Sequence, residues 1–302
     1  MRNPPARSIL LAAIAAAFVF VSCSPAAPPG NTGDESLLPG DEVPATAPGG
    51  PGSSSSPGAR ASRPGDGPST PTTTVVPSGP NAPAYVDAGG VGAMARAYLK
   101  ASPATRLIVE VDYVAGRAPS PAALDHLAQV LRREARKPDG VSVVRSDEIS
   151  PTRSRYSFED IEALEREHRD HRSSGATATM YLLYLNGELA DEEGALGVAY
   201  RASAAAIFID RIRSAASTLV QPGAIERAVV VHEAGHLLAL LNIGYQSRSD
   251  HEDPQNPHHS RYRDSVMYWA VEDISVASLL SGGPPDDFDR FDRDDLELLR
   301  TT

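Results

Sequence analysis

Val229–Asn242 reads VVVHEAGHLLALLN, and everything else in the chain is arranged around it. Within it, His232-Glu233-Ala234-Gly235-His236 forms an H-E-x-x-H pattern. On a helix, positions i and i+4 share one face, so both imidazoles can reach a single ion. Zinc takes neutral imidazole nitrogen readily and keeps an open position when only three protein ligands bind it. Glu233, beside the first histidine, is placed to act as a general base. The flanking residues Val229, Val230, Val231, Leu237, Leu238, Leu240 and Leu241 are apolar. A helix apolar on nearly all sides is buried, and burying two histidines and a glutamate is costly unless they have a partner such as a metal. The competing reading is a chance match on a solvated helix. The apolar neighbours argue against it, as does the clustering of five of the eight histidines within His232–His259.

The chain has 302 residues and a net charge of −11, which excludes an extended basic surface for nucleic acid. Its single cysteine, Cys23, excludes an intrachain disulfide framework. Arg2 and Arg7 precede an apolar run, Ile9–Val21, of the length of a secretory signal and too short to span a membrane comfortably. Phe20-Val21-Ser22-Cys23 resembles a bacterial lipobox, with phenylalanine where leucine is usual. The expectation is a signal peptide over 1–22, lipidation at Cys23, and a secreted protein anchored to the cell envelope. The competing reading is a plain signal peptide with an incidental cysteine. Fourteen of the 26 prolines fall between Ser24 and Ala84, and no aromatic residue occurs between Phe20 and Tyr85. Such a segment buries too little apolar surface to offset its ordering entropy, so 23–84 is expected to be a disordered linker.

Residues 85–302 suffice for one well-cored domain. Helical or strand patterning alternates along it. A short helix is expected over Val91–Ala101, a strand over Arg106–Tyr113, a helix over Ser120–Lys137 and a strand over Gly140–Arg145. A charged helix with a solvated face follows over Ser157–Arg172, then a strand over Thr177–Leu185. Short strands at Gly197–Tyr200 and Ala205–Asp210 and a helical connector at Arg211–Leu219 lead to the histidine helix, which Gly244 is placed to cap. Asp286–Arg300 reads as an amphipathic helix. This order implies an α/β layer with a mixed, mostly parallel sheet.

Two histidines do not complete a catalytic zinc site. The pattern resembles that of the metzincin zinc peptidases, H-E-x-x-H-x-x-G-x-x-H followed by a methionine turn. Here Ala239 and Asn242 occupy the glycine and third-histidine positions. The methionine turn has a counterpart in Ser265-Val266-Met267-Tyr268-Trp269. His259-Ser260, four residues, then Ser265-Val266-Met267 resembles the archaemetzincin branch, with serines where that branch has cysteines. The resemblance implies a metzincin-like domain with a buried H-E-x-x-H helix, Met267 as a hydrophobic floor below the metal, and no second, cysteine-bound zinc. It also implies a third ligand displaced to His259 by an insertion over about residues 243–258. His251, among Asp250, Glu252 and Asp253, is the competing third ligand, and His258 and the Asn242 amide stay open as well. Tyr268, with Tyr262 as a weaker candidate, could offer a hydroxyl to a developing oxyanion.

These readings lead to a monomeric zinc metalloendopeptidase acting on peptide or protein substrates, with Glu233 as base and a membrane tether at Cys23. Two alternatives stand beside it. One is a zinc-stabilised surface module that cleaves nothing, motivated by the departures at Ala239 and Asn242. The other is a zinc hydrolase of a non-peptide amide.

Overall fold

A computed structural model describes residues 85–302 except 152, 193, 219 and 272–282. The expected signal peptide, Cys23 and the expected linker therefore lie outside the described residues. The elements, in chain order, begin with α1 (Ala95–Leu99), β1 (Arg106–Val114), α2 (Pro121–Glu134), β2 (Val141–Ile149), β3 (Arg155–Tyr156) and α3 (Phe158–His168). They continue with β4 (Thr177–Leu185), β5 (Glu188–Leu189), β6 (Gly197–Arg201), β7 (Ala204–Phe208), α4 (Ile209–Ala215) and α5 (Pro222–Leu237). A hairpin of β8 (Glu252–Asp253) and β9 (Asn256–Ser260), a 3-10 turn at Trp269–Val271 and α6 (Arg290–Thr301) follow.

Five strands form one sheet in the order β2-β1-β4-β7-β6. All neighbouring pairs are parallel except β6 with β7. The domain is thus α/β with a mixed, mostly parallel sheet. Parallel strands covered on both faces become continuously apolar, and β4 (TATMYLLYL) is buried at every position but its first. On one face, Leu107, Val109 and Val111 of β1 and Met180, Leu182 and Tyr184 of β4 pack against α1, α2, α4 and α5. On the other, Tyr181, Leu183 and Leu185 pack with Ile161 of α3. Only Ile161 and Glu165 of α3 are buried, in keeping with its charged sequence.

Local chemistry sets the helix ends. The Ser120 hydroxyl accepts from the Ala123 amide, and Pro121 occupies the first turn, where its missing N–H is harmless. Ser157 and Asp160 form a reciprocal capping box on α3, and Asp289 and Asp292 form another on α6. The second expected short strand stops at Phe208, because Ile209 and Asp210 begin α4.

Helix α5 is buried along its length from Ile225, apart from Arg227. Each fully buried valine or leucine there contributes on the order of 1.5–3 kcal/mol, which outweighs the desolvation of a few polar groups that have partners. The helix ends at Leu237, well before Gly244, which is not its cap. Ala239, Leu241 and Asn242 all have positive φ (66°, 57° and 65°) and turn the chain sharply. Non-glycine residues pay for this conformation, and tertiary packing supplies the offset. The Ala239 methyl lies against Gly92, where an added Cβ would come within 2.8 Å of it.

Gly235 has a different necessity. A Cβ there would run into Met267 Sδ and come within 3.1 Å of Phe288 Cε1. Both side chains are buried, so neither has free space to enter. Gly235→Ala is expected to destabilise the domain by about 1–3 kcal/mol through overpacking, read as a lower urea midpoint with an unchanged slope.

Candidate metal centre

His232 and His236 project from the same face of α5, and their Nε2 atoms are 3.0 Å apart. His259 approaches from β9. Its ring centroid lies 5.2 Å from that of His232 and 5.0 Å from that of His236, and the latter two centroids are 4.8 Å apart. All three residues are buried, and one ring nitrogen of each lies within 4.8 Å of the others.

Two backbone carbonyls aim the imidazoles. His232 Nδ1 donates to the Val266 carbonyl at 2.6 Å, and His259 Nδ1 to the Pro257 carbonyl at 2.9 Å. A carbonyl oxygen only accepts, so Nδ1 carries the proton and the Nε2 lone pair is presented to the centre. Such outer partners are what fix metal-binding imidazoles. Two nitrogens about 2.0–2.1 Å from one tetrahedral zinc ion would stand about 3.3 Å apart, close to the observed spacing. The buried His232, His236 and His259 therefore form a group that could hold a metal ion, and the donor set suits zinc.

Burial separates His259 from its neighbour, whose backbone is left-handed (φ 65°). His259 on β9 is buried, whereas His258 is partly exposed and its Nδ1 lies 3.0 Å from the Leu241 carbonyl. The Asn242 amide is used within the loop: Oδ1 accepts from the Ser247 amide at 2.7 Å and Nδ2 donates to Glu252.

His251, weighed as a third ligand of the same ion, lies in a separate group with Asp289 and Asp292. Its Nε2 is 2.9 Å from Asp295 Oδ2. Its partners come from α6 and the residue capping it, rather than from the acidic residues beside it in sequence.

Met267 is wholly buried, with its sulfur on Gly235. The serines of the turn tie it in place. Ser260 N–H donates to the Met267 carbonyl at 2.7 Å, and Ser265 Oγ accepts from Met267 N–H at 2.8 Å while donating to Asp292 at 2.6 Å. Tyr268 is buried beside this turn, its ring against Trp269 and within 5.9 Å of the Arg263 guanidinium. Tyr262 instead stacks on Phe291, with ring centroids 5.0 Å apart.

Glu233 is fully buried. Its carboxylate touches Gly197, the first residue of β6: a Cβ there would overlap Oε1 and come within 2.9 Å of Cδ. Strand β6 is an end strand of the sheet, whereas β7 is interior. Sequence patterning gave no signal for Gly197, whose requirement arises only from this packing.

Among solved structures, the chain is similar to the crystal structure of archaemetzincin from Methanopyrus kandleri, with a TM-score of 0.42 and 16% identity over 66% of this chain and 98% of that one. No protein-family model and no curated protein matches the sequence.

Proposed function

We infer that the domain is a zinc metallopeptidase. The observation carrying this reading is the convergence of three buried imidazoles, His232, His236 and His259, one residue away from a buried carboxylate that lies against an end strand. A zinc ion held there would supply Lewis acidity, polarising a carbonyl and lowering the pKa of water. Glu233 then takes a proton from the attacking water and returns it to the departing amine. Gly197 leaves room for that carboxylate. The outer edge of β6 offers main-chain hydrogen bonds to an extended peptide, so a substrate laid there would run beside Glu233. Tyr268 is proposed to support the developing oxyanion.

The substrate is proposed to be a peptide or protein, cut internally, because an end strand accepts chain on either side of the cleavage point. Secretion, lipidation at Cys23 and attachment to a bacterial envelope through the linker complete the proposal, and their support is the sequence of 1–84 alone. Among the described residues no helix is long and apolar enough to cross a membrane.

Gly197→Ala tests the placement of the base. The added methyl must displace the Glu233 carboxylate, and an ångström of misplacement can lower a rate about a hundredfold. Peptidase assays on the zinc-loaded variant should show that loss in kcat with zinc retained. Unchanged kcat would remove Gly197 from the account.

A further inference from the structure

We propose that the free edge of β6 pairs with a strand from this chain's own N-terminal region, Thr73-Thr74-Val75-Val76. That segment then competes with substrate for the edge. The competition rests on the metallopeptidase reading, whereas the pairing itself does not. The sheet ends in β2 on one side and β6 on the other. Strand β2 is guarded: Arg145, Asp147 and Glu148 are exposed along its second half, and its register with β1 shifts between Val111 and Tyr113. Charges and bulges are how edge strands resist added strands. Strand β6 (GVAYR) has no charge before its last residue, and its register shift falls only after Ala199.

The edge presents both backbone and apolar groups. Phe208 N–H donates to the Leu196 carbonyl at 2.9 Å, and the antiparallel register runs on through Gly197–Ile207 to Ala199–Ala205. Bonded and non-bonded pairs alternate in such a ladder, so Gly197 and Ala199 turn their N–H and C=O groups away from β7. Beside them, Val198, Tyr200 and Leu164 are half-buried and form an apolar ledge on the α3 face. Successive side chains on a strand face opposite ways, so one of Val75 and Val76 lands on this ledge in any register.

Attachment selects the occupant. The turn that ends β6 is bonded to the start of the domain: Ser203 Oγ donates to the Asp87 carbonyl at 3.0 Å, and Ala202 N–H to the Gly89 carbonyl at 2.8 Å. Ten residues separate Val76 from Asp87, a reach of up to about 36 Å. The five residues of β6 extend only about 17 Å, so the segment reaches every part of that edge. Tethering at this range gives an effective concentration of the order of millimolar. Thr72–Val76 is also the one run of β-branched residues between Ser24 and Ala84, and such residues favour pleated pairing. Pairing along β6 covers Gly197, against which the Glu233 carboxylate lies, so a peptide substrate has to displace the segment.

The test compares the zinc-loaded full chain with Thr74→Pro/Val75→Pro. The two prolines remove successive N–H groups, one of which faces β6 in any register. Hydrogen exchange at the Gly197 and Ala199 amides, read by NMR, should be about tenfold faster in the variant. KM for a cleaved peptide should fall by a similar factor, about tenfold, with kcat unchanged. Equal exchange in the two proteins would overturn the pairing, whatever the activity. Protection lost from Val141–Ile149 instead would put the segment on β2 and overturn the choice of edge. Faster exchange at β6 with no peptidase activity in either protein would uphold the pairing and overturn the peptidase reading. Faster exchange with an equal KM would uphold the pairing and overturn the competition.

Discussion

Glu233→Gln is expected to lower peptidase activity by about a thousandfold while leaving zinc content unchanged. The substitution keeps the size of the side chain and removes the carboxylate's basicity. General acid–base groups contribute about 10²–10⁴ in rate, and Glu233 is the acidic residue within the H-E-x-x-H turn that bears the two histidines. The side chain is fully buried against Gly197, so glutamine inherits the same position. The zinc-binding nitrogens proposed for His232 and His259 are aimed by the Val266 and Pro257 carbonyls, not by Glu233, which is why metal should stay. The measurement is kcat on a cleaved peptide together with zinc per chain. Activity within a few-fold of wild type would refute the catalytic role. Loss of zinc would show that Glu233 supports the metal instead.

Asp295→Ala is expected to destabilise the domain by about 3–5 kcal/mol and to weaken zinc binding at the three histidines. Asp295 is almost wholly buried and accepts from the Tyr245 hydroxyl, the Ser247 hydroxyl at 2.5 Å and the His251 ring at 2.9 Å. Burial, and then Asp295 itself, push the Tyr245 hydroxyl well above its ordinary pKa, so it remains a donor. Removing one carboxylate leaves three donors without their acceptor, at about 1–3 kcal/mol each, with part of the loss recovered by relaxation. These donors belong to the segment between α5 and β9, whose far end carries His259. Urea denaturation measures the first effect and competition with a zinc chelator the second. A loss below about 1 kcal/mol would mean that this segment is held by other contacts.

The histidine helix could be read directly from residues because its signal is local: two histidines at i and i+4 in an apolar run. The strands announced themselves for the same reason, since Arg106–Val114 and Thr177–Leu185 are dense in branched and aromatic residues. The end of α5 could not be read. Ala239, Leu241 and Asn242 adopt positive φ against their intrinsic preference, and what compensates, such as Gly92 under Ala239, is far away in sequence. Choosing among His251, His258 and His259 required the burial of His259, the left-handed backbone of His258 and the position of α6, all products of tertiary structure. Asp292 and Asp295 look, in sequence, like the polar side of an amphipathic helix, yet both are buried. Their i, i+3 spacing with Asp289 was a visible sign of one acidic face, but nothing local indicated that the hairpin would cover it.

Anomalous scattering at the zinc edge, from crystals of the full chain grown with Zn2+, tests the metal centre most directly. The account predicts a strong peak about 2.0–2.1 Å from Nε2 of His232, His236 and His259 together. No peak among those three atoms, or a peak bound by His232 and His236 with a third protein ligand other than His259, would contradict it.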